Sequence, residues 1–361
     1  MKKIIGDNMK SLFVTSWEGF SGKTAFILGF SQILVENGFK VSYFRPVGRP
    51  QTSITEGLID PDVLLMKEAL QLAFPVSELS PILIEPNYLS IYANKDVEAV
   101  KAKILEQYTK IASKSDLIMV EGSLSPEIMT AFNLNNIDIA GFLNSKVLII
   151  SGGVSDNSID KILFYKNILE LRGIPFAGAV LNQVPPHMLD KAKNEYSEIL
   201  ASRGVKVWGI IPRNYEITSP TVREVLELLE GDVLVNGDVN RIIGNIFIGA
   251  MQTESSLRYF RRSENNAIIT GGDRPDIISA AVETNASVII LTGNLRPTEQ
   301  VLVKAEEKNI TVIMVPQDTY TTVKILEALT GKIRPSDSYR INLTKKMVEE
   351  YIPWRELYEA I

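Results

Sequence analysis

The 361-residue sequence predicts an α/β fold: a mostly parallel, doubly wound sheet followed by a smaller three-layer α/β domain. Three observations predict it. Short β-branched runs alternate with stretches of helical length through about residue 230. Strands separated by such helices form βαβ units, whose parallel sheet is covered on both faces. The first apolar run leads into Ser16–Thr24 (SWEGFSGKT), and a helical pattern follows at once. After a turn cluster at Asn236–Asp238 the alternation repeats on a smaller scale.

In order, Leu12–Thr15 reads as a strand and Thr24–Asn37 as a helix stopped by Gly38. Val41–Phe44 is a strand, Pro61–Ala73 a helix and Glu98–Ser113 a third helix leading to strand Leu117–Val120. Strands Val147–Ile150, Phe176–Leu181 and Val207–Ile211 follow, with helices Ser158–Arg172 and His187–Arg203 between them. Thr221–Leu229 reads as the last helix of this block, and a short strand at Asp232–Val235 closes it. In the second block Ala267–Thr270, Val288–Leu291 and Thr311–Val315 read as strands, with helices Pro275–Thr284, Pro297–Lys308 and Thr319–Thr330. The expected domains are 1–235 and 236–335, with a tail at 336–361 that is polar and ends in an amphipathic stretch, Met347–Leu357.

Composition narrows the function classes. Net charge is −5, and the densest basic cluster, Arg258–Arg262, is short, which argues against a nucleic-acid partner held by phosphate neutralisation. With no cysteine there is no disulfide framework, thiolate metal site or cysteine nucleophile, which fits a cytoplasmic location. Met1–Asn8 carries charge but no apolar run of signal length, and no run approaches the ~20 residues of a spanning helix, so no membrane role is expected.

Strand, Gly22-Lys23-Thr24 and helix make a phosphate-binding loop. Small residues let backbone N–H groups converge on phosphates at the positive end of the helix. Lys23 would reach the β- and γ-phosphates, and Thr24 would offer its hydroxyl to Mg²⁺. Trp17 stands where the usual pattern has its first glycine, so this is a variant loop lined by Glu18, Gly19, Phe20 and Ser21, with Ala25 in the first helical turn. The bland alternative is a chance Gly-Lys-Thr in a strand-to-helix turn.

A Mg²⁺-nucleotide site also needs a carboxylate at the end of a neighbouring strand. Glu121 supplies one, directly after Leu117–Val120. Asp62 is the best second carboxylate, with a plain helix N-cap as its alternative. Asn182 ends another apolar strand and suits an adenine edge, since an amide both donates and accepts; a turn residue before two prolines is the other reading. Arg45 ends the second strand, where it binds an anion or lies at the surface. His187, the only histidine, has no triad partner motif and reads as structural. In the second domain, Gly271, Gly272, Asp273 and Arg274 follow a strand and either present backbone N–H groups to a ligand or form a tight turn capped by Asp273.

Together these positions resemble the dethiobiotin synthetase and cobyrinic acid amide synthetase group of P-loop NTPase-fold proteins. Members carry a variant loop ending Gly-Lys-Thr, a Lys-Pro-Val on the second strand, an Asp-Val helix start, a Glu-Gly after the third long strand and an Asn near Pro-Pro for adenine. Here these are Gly22–Thr24, Arg45–Val47, Asp62-Val63, Glu121-Gly122 and Asn182 before Pro185-Pro186. The chain is more similar still to the dethiobiotin synthetase-like N-terminal region of long phosphate acetyltransferases, which a DRTGG domain follows. Gly209–Arg213 resembles the junction, with Pro212 expected among the cofactor-binding residues, and Ala267–Ile278, Leu291–Pro297 and Val315–Tyr320 resemble the DRTGG segment. In the long enzymes the acetyl-transferring domain comes after these modules, and this chain stops before it.

The resemblance implies ATP and Mg²⁺ as cofactors, with Lys23 and Glu121 as the catalytic residues if the protein is an enzyme. It also implies a homodimer, since such P-loop proteins often pair near their sites. Two departures bear on chemistry: Arg45 replaces a lysine that assists phosphoryl transfer, and Ser123–Pro126 replaces a glycine-rich substrate loop. Three readings follow, in this order. The first is an Mg-ATP-binding regulatory or ligand-sensing protein with a small-molecule effector at the second domain. The second is an ATP-dependent synthetase acting on a small carboxylate, or a slow ATPase. The third is an accessory subunit of a separate acetyltransferase.

Overall fold

The structure is a computed structural model that describes residues 10–53, 57–327 and 331–361. The Met1–Asn8 segment and the end of the helix expected at Thr319–Thr330 lie outside the described residues. The chain divides into two compact units. One runs to Arg213 and takes up Ile333–Ile361; the other is Asn214–Lys332.

The first unit is built on six parallel strands: β1 (Lys10–Thr15), β2 (Val41–Phe44), β3 (Leu117–Glu121), β4 (Lys146–Gly152), β5 (Phe176–Val184) and β6 (Val207–Pro212). Their order across the sheet is β6-β5-β4-β1-β3-β2. Every residue of β2 and β3 is buried, as expected of strands covered on both faces. The chain winds from β1 toward β2 and β3 on one side, then crosses to β4 on the other. The crevice outside the carboxyl end of β1 is therefore the topological switch point, where open α/β sheets bind ligands.

The covering helices include α1 (Lys23–Glu36), α2 (Pro61–Ala69), α3 (Val97–Ala112), α4 (Asn136–Phe142) and α5 (Asp156–Leu171). The helix expected over His187–Arg203 is interrupted by a π-turn at Ala192–Tyr196, which the amphipathic pattern does not reveal. The expected tail is instead part of this unit, as helices Ser338–Tyr351 and Trp354–Ala360. Ile341, Val348, Ile352 and Leu357 join the core. Gly29 of α1 makes this possible: a Cβ there would lie 2.7 Å from Val348 Cγ2 and 2.9 Å from the Thr344 carbonyl oxygen.

The second unit has a five-stranded sheet of β7 (Asp232–Val235), β8 (Asn245–Ile248), β9 (Asn266–Gly271), β10 (Val288–Thr292) and β11 (Thr311–Met314). Its order is β7-β11-β10-β9-β8, parallel except for β7 on β11. Strand alternation sends Ile268, Ile289 and Val312 to one face, against Phe260, Ile277 and Val301. Ala267, Ile269, Ile290 and Ile313 go to the other, against Val222, Val225 and Leu326. That is the expected three-layer arrangement. Helix Val222–Leu229 belongs here rather than to the first unit, because its apolar face completes this second core. The compact units thus part at 213/214 and 332/333, where the sequence suggested 235 and 335.

Candidate functional site

β1 ends at Thr15, and Ser16–Gly22 turns the chain into α1. Gly22 takes φ 87° and ψ 24°, a left-handed conformation that costs an L-residue roughly 1–2 kcal/mol. No side chain caps α1 and no acid lies in its first turn, so its free N–H groups and positive dipole end are left for an anion.

Lys23 is buried, and its Nζ donates to Ser16 Oγ at 2.6 Å, which donates to the Glu18 carbonyl at 2.6 Å. Burial lowers the Lys23 ammonium to about 8, against an opposing pull from Glu121. Ser21 is buried too, and its Oγ has no hydrogen-bond partner among the described residues. The end of β5 braces the loop: Asn182 Nδ2 donates to the Ser21 carbonyl at 2.8 Å and Gln183 Nε2 to the Phe20 carbonyl at 3.1 Å. From α5, Phe164 and Tyr165 meet the Trp17 ring edge-on at 5.7 and 6.3 Å, and Lys161 pairs with Glu18.

Beside the loop lies a buried charge cluster. Glu121 Oε1 accepts from Thr24 Oγ1 at 2.8 Å, and its Oε2 accepts from the Tyr43 hydroxyl at 2.8 Å. Arg45 reaches all three nearby carboxylates. Its Nη1 stands 2.8 Å from Asp62 Oδ2 and 3.1 Å from Glu121 Oε1, and its Nε 3.1 Å from Asp60 Oδ2. Burial pushes the Glu121 carboxyl up, with Arg45 pulling it back. Burial alone would lower the Arg45 guanidinium, but Glu121, Asp60 and Asp62 more than offset it and hold the charge on firmly.

Several expectations change here. Arg45 is buried, not at the surface, because three carboxylates surround it. The N-cap of α2 is Asp60, which accepts from the Asp62 amide at 2.9 Å, so Asp62 is free to pair with Arg45. Thr24, Asp62 and Glu121 do come together, but around a guanidinium; no group of three or more acidic or histidine side chains suited to a metal occurs among the described residues. The Asn182 amide nitrogen donates to the Ser21 carbonyl of the loop. Glu18 faces Lys161, Phe20 is 59% exposed, and Ala25 sits in the first turn of α1. Pro212 ends edge strand β6 beside Val184. His187 is exposed in the turn Pro186–Met188.

In the second unit, Gly271–Arg274 forms the turn from β9 into helix Pro275–Glu283. A Cβ at Gly272 would fall 1.6 Å from the Leu295 carbonyl oxygen, so close packing alone demands glycine. Arg274 is held by Asp276 at 3.0 and 3.1 Å and reaches the Met251 carbonyl at 3.1 Å. The helix has no side-chain cap, so Asp273 does not serve as the expected cap of this turn.

Sequence reasoning missed Tyr43, Asp60 and Ser16. Only Asp60 had a usable signal: Asp-Pro is a favoured N-cap and first-turn pair.

The AAA domain matches residues 10–221, more than half of the sequence. The chain belongs to the AAA domain family. A DRTGG domain matches residues 224–329, so this AAA-family chain carries both modules in the expected order. It is 26% identical to the phosphate acetyltransferase of Nitratidesulfovibrio vulgaris, over 96% of this chain and 51% of that protein. Identity to the phosphate acetyltransferase of Synechocystis sp. is 24%, again over 96% and 51%. The chain spans about half the length of the curated relatives it matches. Among solved structures, the MinD cell division protein of Aquifex aeolicus is similar at 18% identity, covering 58% of this chain and 84% of that one, with a TM-score of 0.37. The CBS and DRTGG domains of the regulatory region of Clostridium perfringens pyrophosphatase, complexed with diadenosine tetraphosphate, match at 22% identity over 41% and 73%, with a TM-score of 0.28. No described helix is long and apolar enough to cross a membrane.

Proposed function

We propose that this AAA-family chain binds ATP on the loop Glu18–Ala25 and serves as a ligand-sensing protein of the kind joined to phosphate acetyltransferases. The observation that carries the reading is the buried Lys23 beside an uncapped helix start at left-handed Gly22. The buried Ser21 hydroxyl, without a hydrogen-bond partner among the described residues, fits a phosphate oxygen as its partner. Membership of the AAA domain family supports the same ligand.

Sensing is favoured over turnover by the state of Glu121. Its Oε1 accepts from Thr24 and faces Arg45 and its Oε2 accepts from Tyr43, so it is not poised to take a proton from a substrate. Two of the oxygens expected to serve a divalent cation beside ATP, Asp62 Oδ2 and Glu121 Oε1, face Arg45 instead. No step is therefore assigned to that cation.

An effector at the DRTGG unit rests on the family match alone, since Gly272 and Arg274 are explained by packing. Calorimetric titration of the full chain with ATP tests both parts. One binding event that Lys23→Ala abolishes supports the loop; a second event that survives Lys23→Ala supports the effector. No heat at millimolar ATP, or identical isotherms for the two proteins, contradicts the loop reading.

A further inference from the structure

We infer that Asn182 and Gln183 are positioning residues for the phosphate loop: they hold its carbonyls back so that its N–H groups face a triphosphate, and the affinity they contribute is the same whatever the base. The inference rests on the ATP reading above and deepens it. Both residues lie near the end of β5. Asn182 Nδ2 donates to the Ser21 carbonyl at 2.8 Å, and Gln183 Nε2 to the Phe20 carbonyl at 3.1 Å. In a planar trans peptide the C=O and the following N–H point to opposite sides. Two neighbouring carbonyls drawn toward β5 therefore turn the N–H groups of Ser21 and Gly22 away from it. Neither N–H has a partner among the described residues. The Ser21 hydroxyl, buried and also without a partner among them, sits on the same segment.

The brace is itself held firmly. The Asn182 carbonyl accepts from the Gly153 amide at 2.8 Å, which ties the end of β5 to the end of β4. The loop backbone rests directly on β4 as well, because a Cβ at Gly152 would fall 2.6 Å from Ser21 Cα. Phe20 and Gln183, joined by one of the two hydrogen bonds, both take left-handed backbone, at φ 58° and 54°. Side chains other than glycine rarely adopt that region, and such strain persists where the surroundings fix it, as at ligand clamps. Released from the amides, the Phe20 and Ser21 peptides are free to rotate and to present carbonyl oxygens to an anion, which repel it. Held by them, the N–H groups form a preset concavity of the kind that binds phosphate. The loop is then ordered before the ligand arrives, and binding does not bear that entropy.

The test is calorimetric titration of the full chain with ATP, GTP and inorganic tripolyphosphate, for wild type, Asn182→Ala and Gln183→Gly. Each variant is expected to weaken all three ligands by about five- to tenfold, the loss of one preorganising hydrogen bond, and by the same factor within about twofold. Gln183→Gly removes the amide while easing the left-handed backbone, and it carries the comparison if Asn182→Ala fails to fold by circular dichroism. A loss confined to ATP, with tripolyphosphate binding unchanged, shows base reading; it overturns the inference and leaves the ATP reading standing. Variants that melt lower yet bind all three ligands like wild type show a purely structural role and overturn the inference as well. Wild type that binds none of the three overturns the inference and the ATP reading together.

Discussion

Replacing Gly22 with alanine probes how the loop is held, and its cost can be worked from two contacts. Gly22 sits at φ 87°, where an L-residue costs roughly 1–2 kcal/mol. The new Cβ would fall 2.2 Å from Asn182 Nδ2, so that side chain must give up its hydrogen bond to the Ser21 carbonyl. Losing a buried hydrogen bond costs about 1–3 kcal/mol, for a total of roughly 2–5 kcal/mol. For a unit of this size that lowers Tm by on the order of 5–15 °C. The assay is thermal unfolding of the full chain, followed on the transition of the first unit, since two units need not melt together. A double-mutant cycle isolates the clash. In an Asn182→Ala background, Gly22→Ala should cost only the backbone part, about 1–2 kcal/mol. A Gly22→Ala penalty below about 0.5 kcal/mol, or one unchanged by Asn182→Ala, would refute the geometry.

Other perturbations test other parts. Burial lowers Lys23 to about 8, and a bound polyphosphate would raise it again. ATP binding should therefore take up protons at and somewhat above that pH, and affinity should fall as pH rises through about 8, measured by titration in buffers of differing ionisation heat. Asp60→Ala removes the cap of α2 and one of the three carboxylates around Arg45, a loss of about 2–4 kcal/mol by denaturant unfolding. Gly272→Ala drives a Cβ onto the Leu295 carbonyl, so it should lower the melting of the second unit while leaving ATP binding unchanged. Truncation after Gly331 removes Ile341, Val348, Ile352 and Leu357 from the first core; hydrogen exchange should then show α1 losing protection.

Much of this was legible from local pattern. Val41–Phe44 is a strand end to end, because four buried positions between Lys40 and Arg45 leave little room for another reading. The loop, α1 and Glu121 at the end of β3 followed from strand, Gly-Lys-Thr and helix in succession. What local pattern could not supply was the partner of each charge. Arg45 looks like any cation ending a strand until the start of α2 brings Asp60 and Asp62 to it. Tyr43 reads as one more apolar strand residue, yet its hydroxyl meets Glu121. The helix Ser338–Tyr351 is polar enough to resemble a tail; Gly29, far away in sequence, gives it a seat. The short strand Asn245–Ile248 and the helix Thr253–Phe260 were missed because each is too brief to show a period.

The central claim is that the loop after β1 holds a nucleoside triphosphate, and a crystal structure of the chain grown with ATP tests it most directly. The account predicts phosphate density against the backbone N–H groups of residues 22–25, with Lys23 Nζ turned from Ser16 Oγ to the phosphates. A loop without nucleotide at saturating ATP, with Lys23 still donating to Ser16, would contradict it.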